Sequence, residues 1–270
     1  MSEPEPRPLV SSRDNPLFQR LRRLMGDASA YRREGQFCIE GEHLCSAFLD
    51  RGQRPALAVL SESAWQQPRL RQLIQPGQAV QRLTDRLFEQ LSALPSPAGV
   101  AFLVDLPAAS QPDVDEAAVW LDRLQDPGNV GSILRSASAM GVRQVWATPG
   151  TAALWSPKVL RAAMGAHFSL QLCEGVTPAE LASGRAAWVA TSSHARTVLG
   201  QIPLPMPCVW IFGNEGQGVD ASLLSRCALT VRIPQPGGEE SLNVASVDQP
   251  VRPDVAQDGG GDLLDRLVRR

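Results

Sequence analysis

Residues 119–140 read VWLDRLQDPGNVGSILRSASAM, and this stretch decides the predicted fold. An apolar run comes first, a turn with proline and glycine follows, and apolar residues then recur at helical spacing. The face that these residues share consists of Ile133, Leu134, Ala137 and Met140. Asn129 is a suitable amino-terminal cap for the helix and Gly141 is a suitable stop. We therefore predict a strand at residues 119–124 and a helix at residues 129–140.

The same alternation of apolar strands and helices continues along the second half of the chain. Further strands are predicted at residues 145–148, 169–173, 187–191, 208–212 and 229–233, and further helices at residues 157–164 and 221–226. This rhythm predicts a parallel sheet that helices cover on both faces. The first half holds a smaller unit, with strands at residues 36–40, 56–60 and 99–104 and helices at residues 41–50 and 84–91. The predicted fold class is α/β.

Changes in composition along the chain suggest its domain boundaries. The segment at residues 106–116, LPAASQPDVDE, is rich in proline and acidic residues and is predicted to be a linker. The predicted organisation is a flexible leader at residues 1–10, a first domain at residues 11–105, this linker, a second domain at residues 117–246 and an atypical tail at residues 247–270.

The overall composition excludes several classes of protein. Hydrophobic residues make up 43% and charged residues 20% of the 270 residues, so the chain can form a proper core. Five cysteines without a CxxC pair and three scattered histidines indicate neither a disulfide framework nor a metal site. No apolar run reaches the ~20 residues that a membrane-spanning helix needs. The opening residues, MSEPEPRPLV, lack the order of a secretory signal, so we expect a cytoplasmic protein without metal or membrane partners.

A net charge of −2 means that any contact with nucleic acid depends on local basic patches. Residues 7–33 form one such patch, because they hold seven arginines against two acids, and leucines recur there at helical spacing. The candidates for RNA contact are Arg20, Arg22, Arg23, Arg32 and Arg33. A solvated surface helix and a phosphate-binding face explain this pattern equally well.

Three segments carry more polar and glycine residues than a simple connection requires. The first motif, residues 126–135 (DPGNVGSILR), brings Asn129 and Arg135 onto a helix at the carboxyl end of a strand, where parallel sheets bind ligands. Taken alone, this motif is explained better by a helix cap and a surface ion pair.

The second motif, residues 212–219 (FGNEGQGV), contains glycines that let backbone approach a ligand, and its Glu215 suits an arginine or a ligand amine. A tight turn between strand and helix explains it equally well. The third motif, residues 233–245 (IPQPGGEESLNVA), offers loop amides and a helix start that can hold an adenine and a carboxylate. A capping box with Ser241 as cap is the structural alternative.

In combination and in this order, the three motifs resemble those of SpoU-type RNA methyltransferases of the SPOUT superfamily, over residues 119–245. Residues 11–24 (SSRDNPLFQRLRRL) and 31–43 (YRREGQFCIEGEH) are similar to the amino-terminal substrate-binding domain of that family.

This resemblance implies a parallel α/β domain with a carboxy-terminal trefoil knot, preceded by a small L30e-like α/β domain that binds RNA. It implies S-adenosylmethionine as cofactor, a homodimer, and methylation of a ribose 2′-hydroxyl, with ribosomal RNA favoured over transfer RNA. The implied cofactor contacts are Gly213, Gly218, Ile233, Leu242 and Asn243. The implied catalytic residues are Asn129, Arg135, Glu215, Ser241 and Asn243.

In members of this family, proton abstraction is often assigned to the arginine at the position of Arg135. Because a guanidinium stays protonated in proteins, we expect Arg135 to bind the adjacent phosphate and stabilise the developing alkoxide. On this hypothesis Glu215 orients Arg135, and Asn129 positions the ribose.

The chain departs from the family after Ser246, where it reads VDQPVRPDVAQDGGGDLLDRLVRR. Pro250 and Pro253 exclude the uninterrupted helix that the family has there. Two functions therefore stay open: an active methyltransferase, and a catalytically impaired RNA-binding protein of the same fold. A nucleotide-binding oxidoreductase is excluded because the chain lacks a dinucleotide glycine fingerprint with its downstream acid.

Overall fold

The computed structural model describes residues 6–181 and 184–233. In chain order its strands are β1 (Arg7–Val10), β2 (Gln36–Glu40), β3 (Leu57–Ser61), β4 (Val80–Leu83), β5 (Val100–Asp105), β6 (Ala118–Leu121), β7 (Gln144–Ala147), β8 (Gln171–Glu174), β9 (Ala187–Thr191), β10 (Thr197–Val198), β11 (Cys208–Phe212) and β12 (Leu229–Arg232). Its helices are α1 (Pro16–Gly26), α2 (Ala30–Glu34), α3 (Glu42–Leu49), α4 (Glu62–Trp65), α5 (Pro68–Arg71), α6 (Asp85–Leu91), α7 (Pro127–Ala139), α8 (Pro157–Ala162) and α9 (Ala221–Leu224), with 3-10 turns at Ala166–Ser169 and Pro178–Glu180.

The elements belong to two compact units. The first unit contains residues 6–108 together with Trp155–Phe168, and the second contains Ala109–Leu154 together with the described residues from Ser169 onward. The chain therefore passes between the units more than once, whereas the sequence analysis predicted one crossing at residues 106–116.

A mixed sheet in the order β1-β4-β3-β5-β2 forms the centre of the first unit. Strands β1, β4 and β3 run parallel, whereas β5 is antiparallel to both β3 and β2. The strands predicted at residues 36–40, 56–60 and 99–104 are confirmed to within one residue at each end. Strands β1 and β4 were not predicted.

The predicted leader at residues 1–10 is wrong over its last part, because Arg7–Val10 forms β1. Val10 pairs with Leu83 of β4, and Gln81 Nε2 donates a hydrogen bond to the Pro8 carbonyl at 2.7 Å. Within this strand only Val10 is buried, so its sequence carries no apolar alternation that would mark it as a strand.

The basic amino-terminal segment forms α1 and α2. Helix α1 begins where the Asn15 side chain accepts hydrogen bonds from the amides of Leu17 and Phe18, and Pro16 takes the first helical position. Its buried face consists of Phe18, Leu21, Leu24 and Met25. The predicted amphipathic helix is thus confirmed, and its basic side chains lie on the opposite, solvent-facing side.

Trp155–Phe168 was predicted to belong to the second domain, but it packs within the first unit. The Trp155 ring lies 4.7 Å from the Phe37 ring, and the Phe168 ring lies 5.2 Å from the Phe48 ring, measured between centroids. These aromatic contacts place α8 against β2. The segment therefore completes the core of the first unit. Burial of these aromatic rings stabilises that core, although the segment lies between strands of the second unit in the sequence.

The second unit is built on a sheet in the order β10-β12-β9-β11-β6-β7-β8. All its strand pairs are parallel, which confirms the predicted parallel sheet. Strands β6, β7 and β11 are buried at every residue, as expected for a parallel sheet covered on both faces. On one face the Trp120 ring contacts the rings of Trp146 and Trp188, at centroid distances of 5.4 and 4.9 Å.

Residues 106–117, which include the predicted linker, form no helix or strand. Their later part is hydrogen-bonded to the second unit. The Asp113 amide donates to Gln144 Oε1 at 3.0 Å, and Gln144 Nε2 donates to the Asp113 carbonyl at 2.8 Å. Only the start of this segment therefore serves as a connection between the units.

Over residues 6–181 and 184–233, no helix has the length and apolar character needed to cross a membrane.

Candidate active site

The first and second motifs meet at the carboxyl edge of the second sheet. Strands β6 and β11 are parallel neighbours, and the chain leaves β6 toward β7 on one side but leaves β11 toward β12 on the other. Loops that leave adjacent strands in opposite directions open a crevice between them, and ligands of α/β proteins bind in such crevices. The topology therefore places both motifs at the position expected for a ligand site.

The first motif forms the turn before α7 and the first part of that helix. Its amino-terminal cap is Asp126, whose side chain accepts a hydrogen bond from the Asn129 amide at 2.8 Å. The predicted cap at Asn129 is therefore wrong. Pro127 occupies the first helical position and fixes the helix start two residues earlier than predicted. The Asn129 side chain does not cap the helix and can therefore make another contact.

The second motif forms a tight loop closed by its own backbone. Asn214 and Gly218 exchange hydrogen bonds, with the Asn214 amide to the Gly218 carbonyl at 3.1 Å and the reverse bond at 2.8 Å. Asn214 Oδ1 also accepts from the amides of Gly216 and Gln217, both at 3.0 Å. A Cβ at Gly213 would lie 2.2 Å from backbone atoms of Gly218 and Val219, so only glycine permits this closure.

Glu215 joins the second motif to the first. Its carboxylate accepts hydrogen bonds from the amides of Gln125 and Asp126, both at 3.2 Å, and from Asn129 Nδ2 at 3.1 Å. Partial burial alone would raise the pKa of Glu215, but the hydrogen bond from its own backbone amide, together with these donors, outweighs burial and holds the pKa below its ordinary value. Glu215 is therefore an anion at neutral pH, and its position is fixed by the first motif.

A second connection, which was not predicted from the sequence, runs from the end of β6 to the residue that follows the second motif. Asp122 follows β6, is 2% exposed, and accepts a hydrogen bond from the Asp220 amide at 2.7 Å. Its carboxylate also accepts from Thr148 Oγ1 and from the Arg123 guanidinium, at 3.2 Å in each case. The signal in the sequence was an acidic residue directly after a buried strand.

Arg123 extends this connection to the second motif. Its carbonyl accepts from Asn214 Nδ2 at 2.9 Å, and its Nη1 donates to Gln217 Oε1 at 3.3 Å. Hydrogen bonding to Asp122 raises the pKa of Arg123. Arg123 has a φ of +55°, in the left-handed region that most side chains avoid, so the surrounding contacts must hold this backbone in place.

Arg135 lies on α7, about 9 Å along the helix axis from Asn129. Its side chain is exposed and makes no hydrogen bond or ion pair with the described residues. The predicted orientation of Arg135 by Glu215 is therefore not found in the described part of the chain. Glu215 instead orients Asn129, which also belongs to the first motif.

The remaining predicted site residues divide into two groups. Ile233 is half-buried directly after β12, and Gly218 is exposed at the end of the second motif with a φ of +70°. Ser241, Leu242 and Asn243 lie outside the described residues, as does the tail after Ser246.

The arginines predicted to contact RNA lie on α1 and α2 of the first unit. Arg20 and Arg23 both pair with Glu34, at 3.0 and 3.2 Å, and Arg33 pairs with Asp27 at 2.8 Å. The Arg32 guanidinium lies 5.1 Å from the Tyr31 ring centroid. Among these five, Arg22 is exposed and forms no ion pair with the described residues.

Across the described ranges, no cluster of three or more histidine, cysteine or acidic side chains could hold a metal ion.

An all-parallel sheet with two polar loops at its switch point defines a ligand-binding α/β domain. The model of the SpoU rRNA Methylase family matches residues 116–247, which include both loops. An uncharacterised tRNA/rRNA methyltransferase of Synechocystis sp. is 32% identical over 246 residues, covering 87% of this chain and 89% of that relative. The chain belongs to the SpoU rRNA Methylase family.

Two further proteins show how far the similarity extends. The 23S rRNA (guanosine(2553)-2′-O)-methyltransferase RlmP of Bacillus subtilis is 31% identical, covering 77% of this chain and 84% of that protein. The SpoU methyltransferase AviRb from Streptomyces viridochromogenes, solved in complex with AdoMet, matches with a TM-score of 0.77 and 26% identity, covering 86% of this chain and 93% of that structure. The likeness thus includes both units and is not confined to the motifs.

Proposed function

We propose that this protein transfers a methyl group from S-adenosylmethionine to a ribose 2′-hydroxyl of structured RNA. The observation that carries the proposal is the hydrogen bond between Glu215 and Asn129, which joins the first and second motifs in the crevice of a SpoU-family domain. The named relatives that methylate 23S rRNA at a 2′-oxygen support ribosomal RNA as the substrate.

The described residues fit an adenosyl ligand. Strands β12, β9 and β11 are neighbours that end side by side, and Gly213 and Ile233 directly follow two of them. Such an edge offers backbone amides and carbonyls together with an apolar side chain, which suits an uncharged adenosine. Gly213, Gly218 and Ile233 would hold S-adenosylmethionine, together with the predicted Leu242 and Asn243. When bound, it supplies an electrophilic methyl group on a sulfonium.

Asn129 is the residue that we assign to the ribose. Because the Glu215 carboxylate only accepts hydrogen bonds, the amide nitrogen of Asn129 must face it. Asn129 Oδ1 then points away from Glu215 and accepts no hydrogen bond from the described residues. This oxygen can accept a hydrogen bond from a ribose hydroxyl and so hold the nucleophile in line for attack.

Arg135 is assigned to the phosphate beside the target ribose. Its guanidinium is exposed and free of ion pairs among the described residues, so it can bind a phosphate without first breaking a contact. Its positive charge would also stabilise the alkoxide that develops as the hydroxyl loses its proton. Ser241 and Asn243 are proposed to complete the polar reaction site.

The first unit is proposed to bind the RNA as an L30e-like domain, through the arginine face of α1 and α2. Surface ion pairs are worth only about 0–1 kcal/mol, so Arg20, Arg23 and Arg33 can exchange their acidic partners for phosphates. The knot and the homodimer that the resemblance implies also remain proposals, and we expect the protein to act in the cytoplasm.

A second candidate, an RNA-binding protein without catalysis, is favoured by the tail sequence. Pro250 and Pro253 interrupt the helix that the family has after the third motif. If that helix is required for the cofactor site, the protein would keep its RNA-binding surface and lose methyl transfer.

Calorimetric titration with S-adenosylmethionine separates the two candidates. The purified protein is titrated at a known oligomeric state, with S-adenosylhomocysteine as a second ligand. Saturable binding of both ligands supports the enzyme. A folded protein that binds RNA but neither ligand supports the second candidate and contradicts the first.

A further inference from the structure

Two carboxylates hold the second motif in place, and only one of them, Glu215, belongs to the implied reaction site. Glu215 reaches from the second motif to the amides of the first. Asp122 reaches from the end of β6 to Asp220, the residue directly after the second motif, and accepts a hydrogen bond from its amide. The second motif is thus held at Glu215, in its middle, and just beyond its last residue.

We propose that Asp122 is a positioning residue for the active site, which fixes the second motif so that Gly213 and Glu215 keep their places. This inference rests on the proposed function, since it concerns the site proposed to bind S-adenosylmethionine. Asp122 itself contacts the Arg123, Thr148 and Asp220 groups and is buried, so it acts through these residues.

The burial of Asp122 explains why a carboxylate is required at this position. Each of its oxygens accepts two hydrogen bonds, Oδ1 from Thr148 and Arg123 and Oδ2 from Asp220 and Arg123. An asparagine has the same shape, but its amide nitrogen would face hydrogen-bond donors, and an amide nitrogen cannot accept their hydrogen bonds. A buried polar group left without a partner is costly, so the loop would move to find another partner.

Arg123 links Asp122 to the exposed side of the loop. Its Nη2 lies 3.5 Å from Asp220 Oδ2, and its Nη1 contacts Gln217. Since its φ is +55°, glycine can replace it without backbone strain. The variant Arg123→Gly therefore removes the guanidinium bridge while preserving the fold.

The test compares Asp122→Asn and Arg123→Gly with the parent protein by hydrogen–deuterium exchange and by calorimetry. A matched control is Gln144→Leu. Gln144 is also buried in the second sheet and hydrogen-bonded, but it lies at the amino end of β7, on the opposite edge. This control loses buried hydrogen bonds without touching the second motif.

In Asp122→Asn we expect amide exchange over residues 213–220 to accelerate at least about tenfold, and affinity for S-adenosylmethionine to fall by a similar factor. Arg123→Gly should show a smaller change in the same direction. The control should leave both quantities within about twofold of the parent, because Gln144 makes no hydrogen bond to the second motif.

The proposal is contradicted if both variants exchange residues 213–220 at the parent rate. It is also contradicted if the control accelerates that segment as much as Asp122→Asn does. If Asp122→Asn does not fold, Arg123→Gly decides the question alone by its exchange rate. The exchange measurement needs no ligand, so a parent protein that fails to bind S-adenosylmethionine would count against the proposed function and leave this test intact.

Discussion

Asn129 Nδ2 donates a hydrogen bond to Glu215 Oε1 at 3.1 Å, across two loops that are 86 residues apart in the chain. The same carboxylate accepts from the amides of Gln125 and Asp126. Glu215 therefore fixes both the start of α7 and the orientation of the Asn129 amide. The proposed reaction site is built around this relationship, and the proposed position of the ribose depends on it.

Replacing Glu215 by glutamine tests this relationship. The glutamine nitrogen would face amide donors, so the loop and the Asn129 side chain should lose their fixed positions. We expect Glu215→Gln to lower the rate of methyl transfer in a single turnover by roughly 100-fold, since misplacement by about 1 Å can have an effect of that size. Glu116→Gln is the control, because Glu116 is an exposed glutamate whose ion pair with Arg185 spans 3.9 Å. Equal rates for the two variants would contradict the assignment.

The contribution of Arg135 to the rate of methyl transfer should depend on both its charge and its planar shape. We expect Arg135→Ala to reduce the single-turnover rate by roughly 100-fold, because it removes the cation that stabilises the alkoxide. Arg135→Lys should recover part of that loss, since it keeps the charge without the planar fork. Rapid-quench measurement of methylated RNA provides the rates. Near-parent turnover in both variants would remove Arg135 from the reaction.

Arg22 should contribute more to RNA affinity than Arg20. Arg20 is already paired with Glu34 at 3.0 Å, whereas Arg22 is exposed and unpaired among the described residues. We expect Arg22→Ala to reduce the slope of log K against log salt by about 1, and Arg20→Ala to reduce it less.

Glu34→Gln gives the complementary result, because it frees Arg20 and Arg23 for phosphate and should strengthen RNA binding. Filter binding across a salt series measures all three variants. If Arg22→Ala leaves both affinity and salt slope unchanged, RNA does not bind to this face.

Glu40 makes the stability of the first unit depend on pH. Burial raises the pKa of Glu40, although hydrogen bonds from Ser92 and the Ala93 amide and the charge of Arg161 partly oppose this shift. A carboxyl group whose pKa is higher in the folded state destabilises that state as pH rises through its folded pKa. Glu40→Gln should therefore raise the thermal midpoint at pH 7.5 and have little effect near pH 4. An equal change at both pH values would contradict this account.

Trp155 should be essential to the first unit, although it lies in the second half of the sequence. Trp155 is 9% exposed, and its ring contacts Phe37. Trp155→Ala should cost about 3–5 kcal/mol of the free energy of unfolding, as for other buried aromatic residues. Ile202→Ala serves as control, since Ile202 is 41% exposed and should cost under about 0.5 kcal/mol.

The buried thiols of the first unit give the readout for that experiment. Burial raises the pKa of Cys38 to about 12 and also raises that of Cys45, so neither thiol should react in the folded unit. Thiol labelling in denaturant should therefore begin at a lower denaturant concentration in Trp155→Ala. Labelling at the parent concentration would show that Trp155–Phe168 does not support the first unit.

The sequence was sufficient for elements that carry a continuous apolar pattern. Strands such as β6 and β11 are buried at every residue, so their composition alone identifies them. Strand β1 could not be found in this way, because only Val10 is buried and the strand is defined by its pairing with β4. Long-range pairing of that kind has no local signature.

The motifs of the candidate site were visible in the sequence, but the contacts between them were not. Asp126 and Asn129 are equally suitable caps by residue type, and only the fold shows that Glu215 engages the Asn129 side chain. For the same reason Asp122 looked like an ordinary acidic residue after a strand, and its contact with the Asp220 amide depends on a loop 98 residues away.

The most direct test of the account is methyl transfer to RNA followed by analysis of the product linkage. The protein is incubated with ribosomal RNA and S-adenosylmethionine labelled in its methyl group, and the RNA is then hydrolysed in alkali. A 2′-O-methyl group removes the hydroxyl that attacks the neighbouring phosphate, so the account predicts label in an alkali-resistant dinucleotide that forms far more slowly with Arg135→Ala. Label released entirely in mononucleotides would contradict ribose methylation, and no incorporation by a protein that binds S-adenosylmethionine and RNA would contradict the proposed reaction.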